Sequence, residues 1–313
     1  MKNEYEVLNA QEKNAITLRY DTPFEQKQSL FSSALSHTNI LVATIVIALL
    51  LLLAIFGPML SPYTFEQTDL PQKNLLPSSV HLFGTDELGR DLFTRVTSGL
   101  LLSLQIGLIA ALVDLIIGAS WGILAGYFGG TVDHVMMRFA EMIYCLPYLL
   151  FVILITSIVG PGFAPIITAM VLIGWIQMAR ITRNLVIQLK QAEFFTAAIS
   201  LGVGPWGLLT RHILPNIAGP MVAVVMLTIP QAIFAEAFLS FLGIGIQPPE
   251  ASLGSLVSDA LGSMRYYPWR LFIPAFMITL TIFAFNLLGD GLRDLFDPQT
   301  HSLLARGRAK SNS

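Results

Sequence analysis

The feature that most constrains the fold is a series of long apolar runs that contain no charged side chain. The first run, residues 40–58, has 19 uncharged residues. As an α-helix it would be about 28 Å long, which is close to the thickness of the hydrocarbon core of a bilayer. Because lipid cannot hydrogen-bond to backbone amides, such a run crosses a membrane as a helix. The sequence therefore predicts an all-α membrane protein.

Later runs raise the predicted number of transmembrane helices to six. The run at 142–179 is too long for one helix, and Gly160-Pro161-Gly162 is expected to divide it, because Pro and Gly favour a turn. The uncharged stretch 194–210 approaches the lower length limit for a crossing, but its three glycines and one proline favour a helix-turn-helix outside the lipid. The remaining predicted crossings are 96–132, 213–235 and 271–289.

The composition agrees with a chain that lies mostly in lipid. Hydrophobic residues make up 54% of the sequence and charged residues 12%, against roughly 25% charged residues in soluble globular proteins. The net charge of −2 gives no basis for binding nucleic acid. One cysteine and five dispersed histidines form no pattern typical of a metal site. We therefore expect no catalytic centre and no metal, and a lipid bilayer as the main environment.

The distribution of lysine and arginine predicts the orientation. With the N-terminus inside, 13 of the 18 basic residues fall on the cytoplasmic side, as the positive-inside rule requires. Both termini are then cytoplasmic, and the start of the chain has no features of a cleaved secretory signal. The predicted divisions are a tail at 1–37, a six-helix transmembrane domain at 38–295 and a tail at 296–313. Within that domain, 61–97 forms an outer segment and 184–212 a cytoplasmic loop.

The predicted cytoplasmic loop combines small residues with large apolar ones. Ala197 and Ala198 would allow close approach of a partner, and Gly202 would form a tight turn that a Cβ would obstruct. The large side chains would present an apolar surface to that partner. They are Phe194, Phe195, Leu201 and Trp206.

The predicted outer segment ends in a dense run of turn-forming and charged residues. Thr85 or Asp86 is expected to cap a short helix, and Asp91 is expected to pair with Arg95 one helical turn later. The residues of this motif are Gly84, Thr85, Asp86, Gly89, Arg90 and Asp91.

Two acidic residues and three glycines stand out within the apolar runs. Asp114 lies deep in the second run, and Glu236 lies near the end of the fifth. Because a charge at the membrane centre costs about 3 kcal/mol on insertion scales, Asp114 should face protein or water. Glu236 lies beside the predicted boundary of the fifth run, where an exposed or packed position is at least as well supported. Both are candidates for a translocation path, although Asp114 could equally bond to a neighbouring helix. Gly118, Gly122 and Gly126 recur every four residues, a spacing that lets two membrane helices pack closely.

These residues resemble the permease subunits of ABC importers. That family carries a cytoplasmic coupling loop of the form Glu-Ala-Ala, three residues, Gly, a spacer and Leu-Pro. This chain has Thr196-Ala197-Ala198, Gly202 and Leu214-Pro215 at that spacing, with Thr196 in place of Glu and His212 in place of the usual Ile. The acidic residue stands three positions earlier, at Glu193. The resemblance implies that the loop docks in a cleft of an ATPase subunit and transmits its movement.

Further motifs are similar to the oligopeptide, dipeptide and nickel branch of that family, and most similar to its C-type permease. They include the 84–91 motif, 125–130, 236–243, 247–249 and 286–294. The resemblance implies a multi-pass subunit of a bacterial inner membrane that assembles with a second homologous permease, two cytoplasmic ATPases and an extracytoplasmic binding protein. The ATPases would use ATP and magnesium, and this chain would bind no cofactor. Short peptides are the first choice of substrate, and Asp114 could then meet a peptide's amino group, but nickel or another small solute is an open alternative.

Two other classes of function make different demands on the sequence. A secondary transporter driven by an ion gradient would require paired ionisable residues at mid-membrane and broken helices in two matching halves. An intramembrane hydrolase would require a nucleophile and a base, and Cys145 has no histidine close to it in the sequence. The residues therefore favour an importer permease without enzymatic activity of its own.

Overall fold

The apolar runs fold as helices in the computed structural model, which describes residues 38–296. The described residues contain no β-strand beyond an isolated bridge between Thr85 and Asp91. The predicted tail at 1–37, and the predicted tail at 296–313 apart from its first residue, lie outside the described residues. The helices of the described part are α1 (Thr38–Leu60), α2 (Leu92–Phe128), α3 (Gly130–Tyr144), α4 (Tyr148–Val159), α5 (Phe163–Lys190), α6 (Glu193–Ser200), α7 (Pro205–Phe241), α8 (Leu253–Leu261) and α9 (Trp269–Phe296).

Five of the described helices, α1, α2, α5, α7 and α9, are each long and apolar enough to cross a membrane. A sixth crossing exists if α3 and α4 form one broken span, with a bend of 73° between them. The break occurs at Pro147, since proline has no N–H for the helix and disfavours the helical conformation in the residue before it. The prediction of an all-α membrane protein is confirmed, and the part of the chain predicted as the third crossing is bent at Pro147.

Most of the helices are longer than the apolar runs that predicted them, and α2 has the predicted length but begins and ends four residues earlier. Residues 92–97, expected in the outer segment, form the first turns of α2, and 184–190 form the last turns of α5. α7 begins at Pro205 and continues through Pro215, so the 194–210 stretch is divided between α6, a turn and the start of α7. A π-helical segment, Leu208–Ile213, precedes Pro215, whose missing N–H leaves the helical hydrogen-bond ladder incomplete there.

A stripe of three glycines brings α2 against α5. A Cβ at Gly118 would lie 2.5 Å from the carbonyl oxygen of Trp175, and one at Gly122 would overlap the carbonyl oxygen of Ala179. A Cβ at Gly126 would lie 2.9 Å from the carbonyl oxygen of Arg183. The two backbones are therefore in direct contact along three successive turns, and this contact gives no room for any side chain larger than hydrogen.

The other side of the bundle packs around α9. A Cβ at Gly289 of α9 would lie 2.6 Å from Leu227 of α7, and one at Gly291 would lie 2.6 Å from Ile40 of α1. Leucines on the opposite face of α1, such as Leu49 and Leu52, are exposed in the isolated chain. An exposed apolar helix face of this kind is expected to contact lipid or a neighbouring membrane helix.

We predict that Gly122→Ala lowers the thermal stability of the purified protein. The added Cβ collides with backbone rather than with a flexible side chain, so the expected loss is about 1–3 kcal/mol of unfolding free energy. Gly262→Ala is the matched control, because a Cβ at Gly262 meets nothing within 4 Å and its φ is −61°. Thermal unfolding in detergent measures both variants, and equal melting temperatures for the two would contradict the close contact.

Candidate functional site

The short helix α6 is fixed to the bundle by two buried side chains. Phe195 is 2% exposed and Ala198 is 5% exposed. Both pack in a cluster with Ile123 of α2, Val186 of α5 and Ile213 of α7. Because moving the apolar side chain of Phe195 into water is unfavourable, its burial holds α6 against three transmembrane helices.

The opposite face of α6 and the turn after it are apolar and exposed. Leu201 is 84% exposed and Trp206 is 75% exposed, and Phe194 and Ile199 are also exposed. The expectation that Phe195 belongs to this surface was wrong, because that side chain points into the core. The remaining residues of the predicted loop motif are exposed except for buried Ala198; they are Glu193, Thr196, Ala197, Gly202, Leu214 and Pro215.

Gly202 makes the turn between α6 and α7 for a reason different from the expected one. A Cβ at this position would meet nothing within 4 Å, so steric exclusion by neighbours does not require glycine. Its φ of +79° does, because a side chain in this left-handed region is strained against its own backbone. The ring of Phe194 also stacks on His212, with 6.5 Å between the ring centroids, which ties α6 to α7.

Charged side chains hold the neighbouring helix ends in place. Arg183 of α5 donates two hydrogen bonds to the carboxylate of Asp133 in α3. Lys190, the last residue of α5, donates to the carbonyl oxygens of Tyr127 at 2.7 Å and Gly126 at 3.2 Å. A cation at the C-terminus of α2 complements the helix dipole and satisfies carbonyls that have no helical partner. These two contacts hold α2, α3 and α5 together.

The segment between α1 and α2, residues 61–91, is organised around buried charges. Asp86 is 5% exposed and accepts from Nε of Arg90 at 2.6 Å, and Nε of Arg95 lies 3.6 Å from the same carboxylate. Asp91 begins α2 by accepting from the backbone N–H of Thr94 at 2.9 Å. Its other oxygen lies 2.8 Å from Nδ1 of His81.

The structure reverses two expectations for this segment. Neither Thr85 nor Asp86 caps a helix; Asp91 is the cap, and Thr85 instead accepts from the backbone N–H of Leu75 at 2.8 Å. Arg95 pairs with Asp86 rather than with Asp91, because the carboxylate of Asp91 is already occupied by its own helix and by His81. The chain turns back at this point instead of forming a short helix. The turn brings the carboxylate of Asp86 next to Arg95 in the first turns of α2.

Two glycines allow the chain to turn back within the 61–91 segment. Gly84 and Gly89 have φ values of +77° and +73°. A Cβ at Gly84 would overlap the carbonyl oxygen of Leu75, and one at Gly89 would overlap the carbonyl oxygen of Asp69. Both the backbone conformation and the close approach therefore require glycine at these positions.

We predict that Asp86→Asn destabilises the protein, because it removes the carboxylate that pairs with the buried guanidinium groups of Arg90 and Arg95. Loss of one partner from a buried ion pair costs about 3–5 kcal/mol. Glu66→Gln removes the same charge from an exposed position of the segment and is the control. The measurements are thermal unfolding and the rate of proteolysis within 61–91; equal behaviour of the two variants would contradict a structural role for Asp86.

A groove runs between α5 and α7. Two adjoining cavities share Gln177 of α5 and Val224, Thr228 and Gln231 of α7, so they form one continuous groove. One end is lined by Asp114, and the other reaches Gln188 and Arg293, close to α6. We call this feature the α5–α7 groove.

The two candidate path residues occupy different surroundings. Asp114 is 5% exposed, lines the α5–α7 groove and lies in a π-helical segment of α2, Asp114–Gly118. Glu236 is 0% exposed and accepts hydrogen bonds from Ser103 at 3.1 Å and Ser240 at 2.7 Å, and it lines none of the cavities described for residues 38–296. Ser240 in turn contacts Ser252, the N-cap of α8, at 3.2 Å. Glu236 thus joins α2, α7 and α8 through hydroxyl groups.

The sequence interpretation missed Gln177, Gln231 and the ion pair between Asp133 and Arg183. The two glutamines could have been found, since each is an uncharged polar residue within an otherwise apolar run. The ion pair could not, because its residues are 50 positions apart and meet only through the packing of α3 on α5. No group of three or more His, Cys, Asp or Glu residues within 38–296 is arranged to hold a metal ion.

Bundled apolar helices with glycine-mediated contacts and a groove with polar lining residues define a multi-pass membrane protein. A family model described as the inner membrane component of binding-protein-dependent transport systems matches residues 118–302. A second model, for the N-terminal transmembrane domain of oligopeptide transport permease C, matches residues 35–77. The chain therefore belongs to the family of inner membrane permeases of binding-protein-dependent transport systems, and it is a membrane protein.

Characterised relatives align with most of the chain. The oligopeptide transport system permease protein OppC of Bacillus subtilis is 48% identical over 264 residues, which are 84% of this chain and 87% of that protein. The dipeptide transport system permease protein DppC of the same organism is 48% identical over 81% of this chain and 80% of its own length. OppC of Escherichia coli is 44% identical over 84% of this chain and 88% of its own length.

The fold is also found in a solved transporter. An inward-facing structure of the MetNI methionine ABC transporter matches with a TM-score of 0.55 and 14% sequence identity, covering 65% of this chain and 96% of the matched chain. At this level of identity the match concerns the fold alone. The expected membership of the ABC importer permeases, in the oligopeptide and dipeptide branch, is confirmed.

Proposed function

We propose that this chain is the C-type permease subunit of an ATP-driven importer of oligopeptides or dipeptides. It would assemble with a second homologous permease, two cytoplasmic ATPase subunits and an extracytoplasmic binding protein. The peptide substrate is inferred from relatives that are 48% identical and are named for oligopeptide and dipeptide transport. ATP and magnesium would be bound by the ATPase subunits, and this chain would contribute no covalent chemistry.

The observation that carries the proposal is the two-sided character of α6. Its exposed face and the following turn present apolar side chains to a partner, while Phe195 is buried against α2, α5 and α7. An ATPase that grips the exposed face would displace three transmembrane helices together. Because α5 and α7 form the walls of the α5–α7 groove, that displacement would change access to it.

This role fixes the orientation of the chain. α6 must lie on the cytoplasmic side, where ATP is available, and the 61–91 segment must lie on the opposite side, where a binding protein delivers solute. This orientation of the chain in the membrane agrees with the distribution of lysine and arginine, which favours cytoplasmic termini. Nickel or another small solute is the alternative substrate within the same branch, and uptake assays with peptide and with Ni²⁺ would distinguish them.

We predict that Leu201→Glu abolishes co-purification of the ATPase subunits and ATP-driven peptide uptake, without changing the amount of permease in the membrane. Leu201 is 84% exposed, so the substitution removes no packing within this chain, but it would place a charge in an apolar interface. A buried unpaired charge costs several kcal/mol, so a loss of about a hundredfold in affinity is expected.

The matched control is Val80→Glu, which makes the same kind of change at an exposed apolar residue of the 61–91 segment. It should leave co-purification of the ATPases intact. Normal ATPase binding and coupled uptake in Leu201→Glu would refute the role assigned to α6.

A further inference from the structure

The α5–α7 groove contains polar atoms that the rest of the bundle does not satisfy. Oδ1 of Asp114 and the hydroxyl of Tyr148 are both buried, and neither has a hydrogen-bond partner among residues 38–296. Both side chains line the same cavity. A buried polar group without a partner costs about 1–3 kcal/mol, and more if it is charged. Two such atoms facing one cavity indicate a place for a ligand with hydrogen-bond donors.

The backbone around Asp114 is built to accommodate a carboxylate. A Cβ at Gly174 of α5 would lie 2.6 Å and 2.8 Å from the two carboxylate oxygens of Asp114, so only glycine lets the side chain lie flat against α5. The π-helical segment Asp114–Gly118 widens α2 at the same level, and such π-helical turns are frequent at functional sites. Asp114 therefore lies against the backbone of α5 and still lines the groove.

The other polar residues of this part of the groove are neutral. Gln177, Thr228 and Gln231 line it together with Asp114, and they can donate or accept hydrogen bonds without competing for the carboxylate. Among residues 38–296, no arginine, lysine or histidine lines the cavity at Asp114. Asp114 is the one charged residue among the described residues that line this cavity, and Arg180 stacks on a lining residue, Tyr144, with its guanidinium carbon 4.4 Å from the ring centroid. An acidic group in the cavity favours a cationic ligand.

We propose that Asp114 is a substrate-binding residue that accepts hydrogen bonds from the α-ammonium group of a peptide in transit. The inference rests on the proposed function, because only a peptide importer supplies this cation. An ammonium group carries three donors and one positive charge, and so would satisfy the carboxylate and the hydroxyl of Tyr148 at once. The groove continues from this point towards α6, so the peptide would bind where movement of α5 and α7 changes access.

The test uses the complete importer in liposomes, with Cys145→Ser and Gln177→Cys introduced as a labelling background. Cys145 is the one cysteine of the chain and is exposed, so its replacement leaves position 177 as the single thiol of this subunit. Trialanine with a free amino group is the probe, and N-acetyl-trialanine is its uncharged counterpart. We expect trialanine to slow labelling at position 177 several-fold, and N-acetyl-trialanine to have no effect.

Asp114→Asn keeps the shape of the side chain and removes its charge. We expect it to abolish protection by trialanine and to lower trialanine uptake by about tenfold or more, as for loss of one partner of a buried charge pair. Glu141→Gln is the matched control, because Glu141 lies on α3 and lines a different cavity; protection should be unchanged. Protection that persists in Asp114→Asn, or that N-acetyl-trialanine provides equally well, would overturn the inference.

If the importer does not assemble with Asp114→Asn, a second variant that keeps the charge of Asp114 tests the site. Tyr148→Phe removes one hydroxyl, and it should assemble and reduce protection by trialanine; unchanged protection would then count against the site. Absence of ATP-driven uptake of both dialanine and trialanine by the importer with Asp114 intact would refute the proposed function itself. Normal uptake without an effect of Asp114→Asn would refute only the binding role of Asp114.

Discussion

The direct backbone contact between α2 and α5 is the interaction on which the rest of the structure depends. Gly118, Gly122 and Gly126 remove the side chains that would otherwise separate the two helices. Since lipid provides little hydrophobic drive for association between membrane helices, close van der Waals packing has to hold them together. The same contact sets the position of Asp114 against Gly174 at one level, and of Lys190 against the C-terminus of α2 at another.

This packing links the two functional regions of the molecule. α5 forms one wall of the α5–α7 groove, and its last turns are held to α2 and α3 by Lys190 and Arg183. Phe195 of α6 packs against the same part of the bundle. A force applied to α6 would therefore reach α5 together with α2 and α3, because these contacts hold the three helices to one another. The 61–91 segment, with its buried charges, gives the other end of α2 a fixed position.

Much of this arrangement could be predicted from the sequence, and the exceptions have physical causes. Charge-free runs of membrane thickness define transmembrane helices because lipid excludes unpaired backbone groups, and the stripe from Gly118 to Gly126 identifies a helix contact without naming its partner. The partner, α5, depends on tertiary packing. The pairing of Asp86 with Arg90 and Arg95 was missed because the chain returns on itself at Gly84 and Gly89, whereas helix-capping rules consider only local spacing. Phe195 and Leu201 are both apolar residues of one loop, and only the three-dimensional packing distinguishes the buried anchor from the exposed surface.

In the proposed importer, α6 contacts an ATPase on the cytoplasmic side of the membrane. The most direct test uses Leu201→Cys combined with Cys145→Ser, so that position 201 carries the single thiol of this chain. A membrane-impermeant thiol reagent is then applied to inside-out and right-side-out vesicles. We expect the thiol at position 201 to be labelled only in inside-out vesicles, and to be protected from labelling when the ATPase subunits are bound. Labelling of right-side-out vesicles, which expose the outer face, would contradict it.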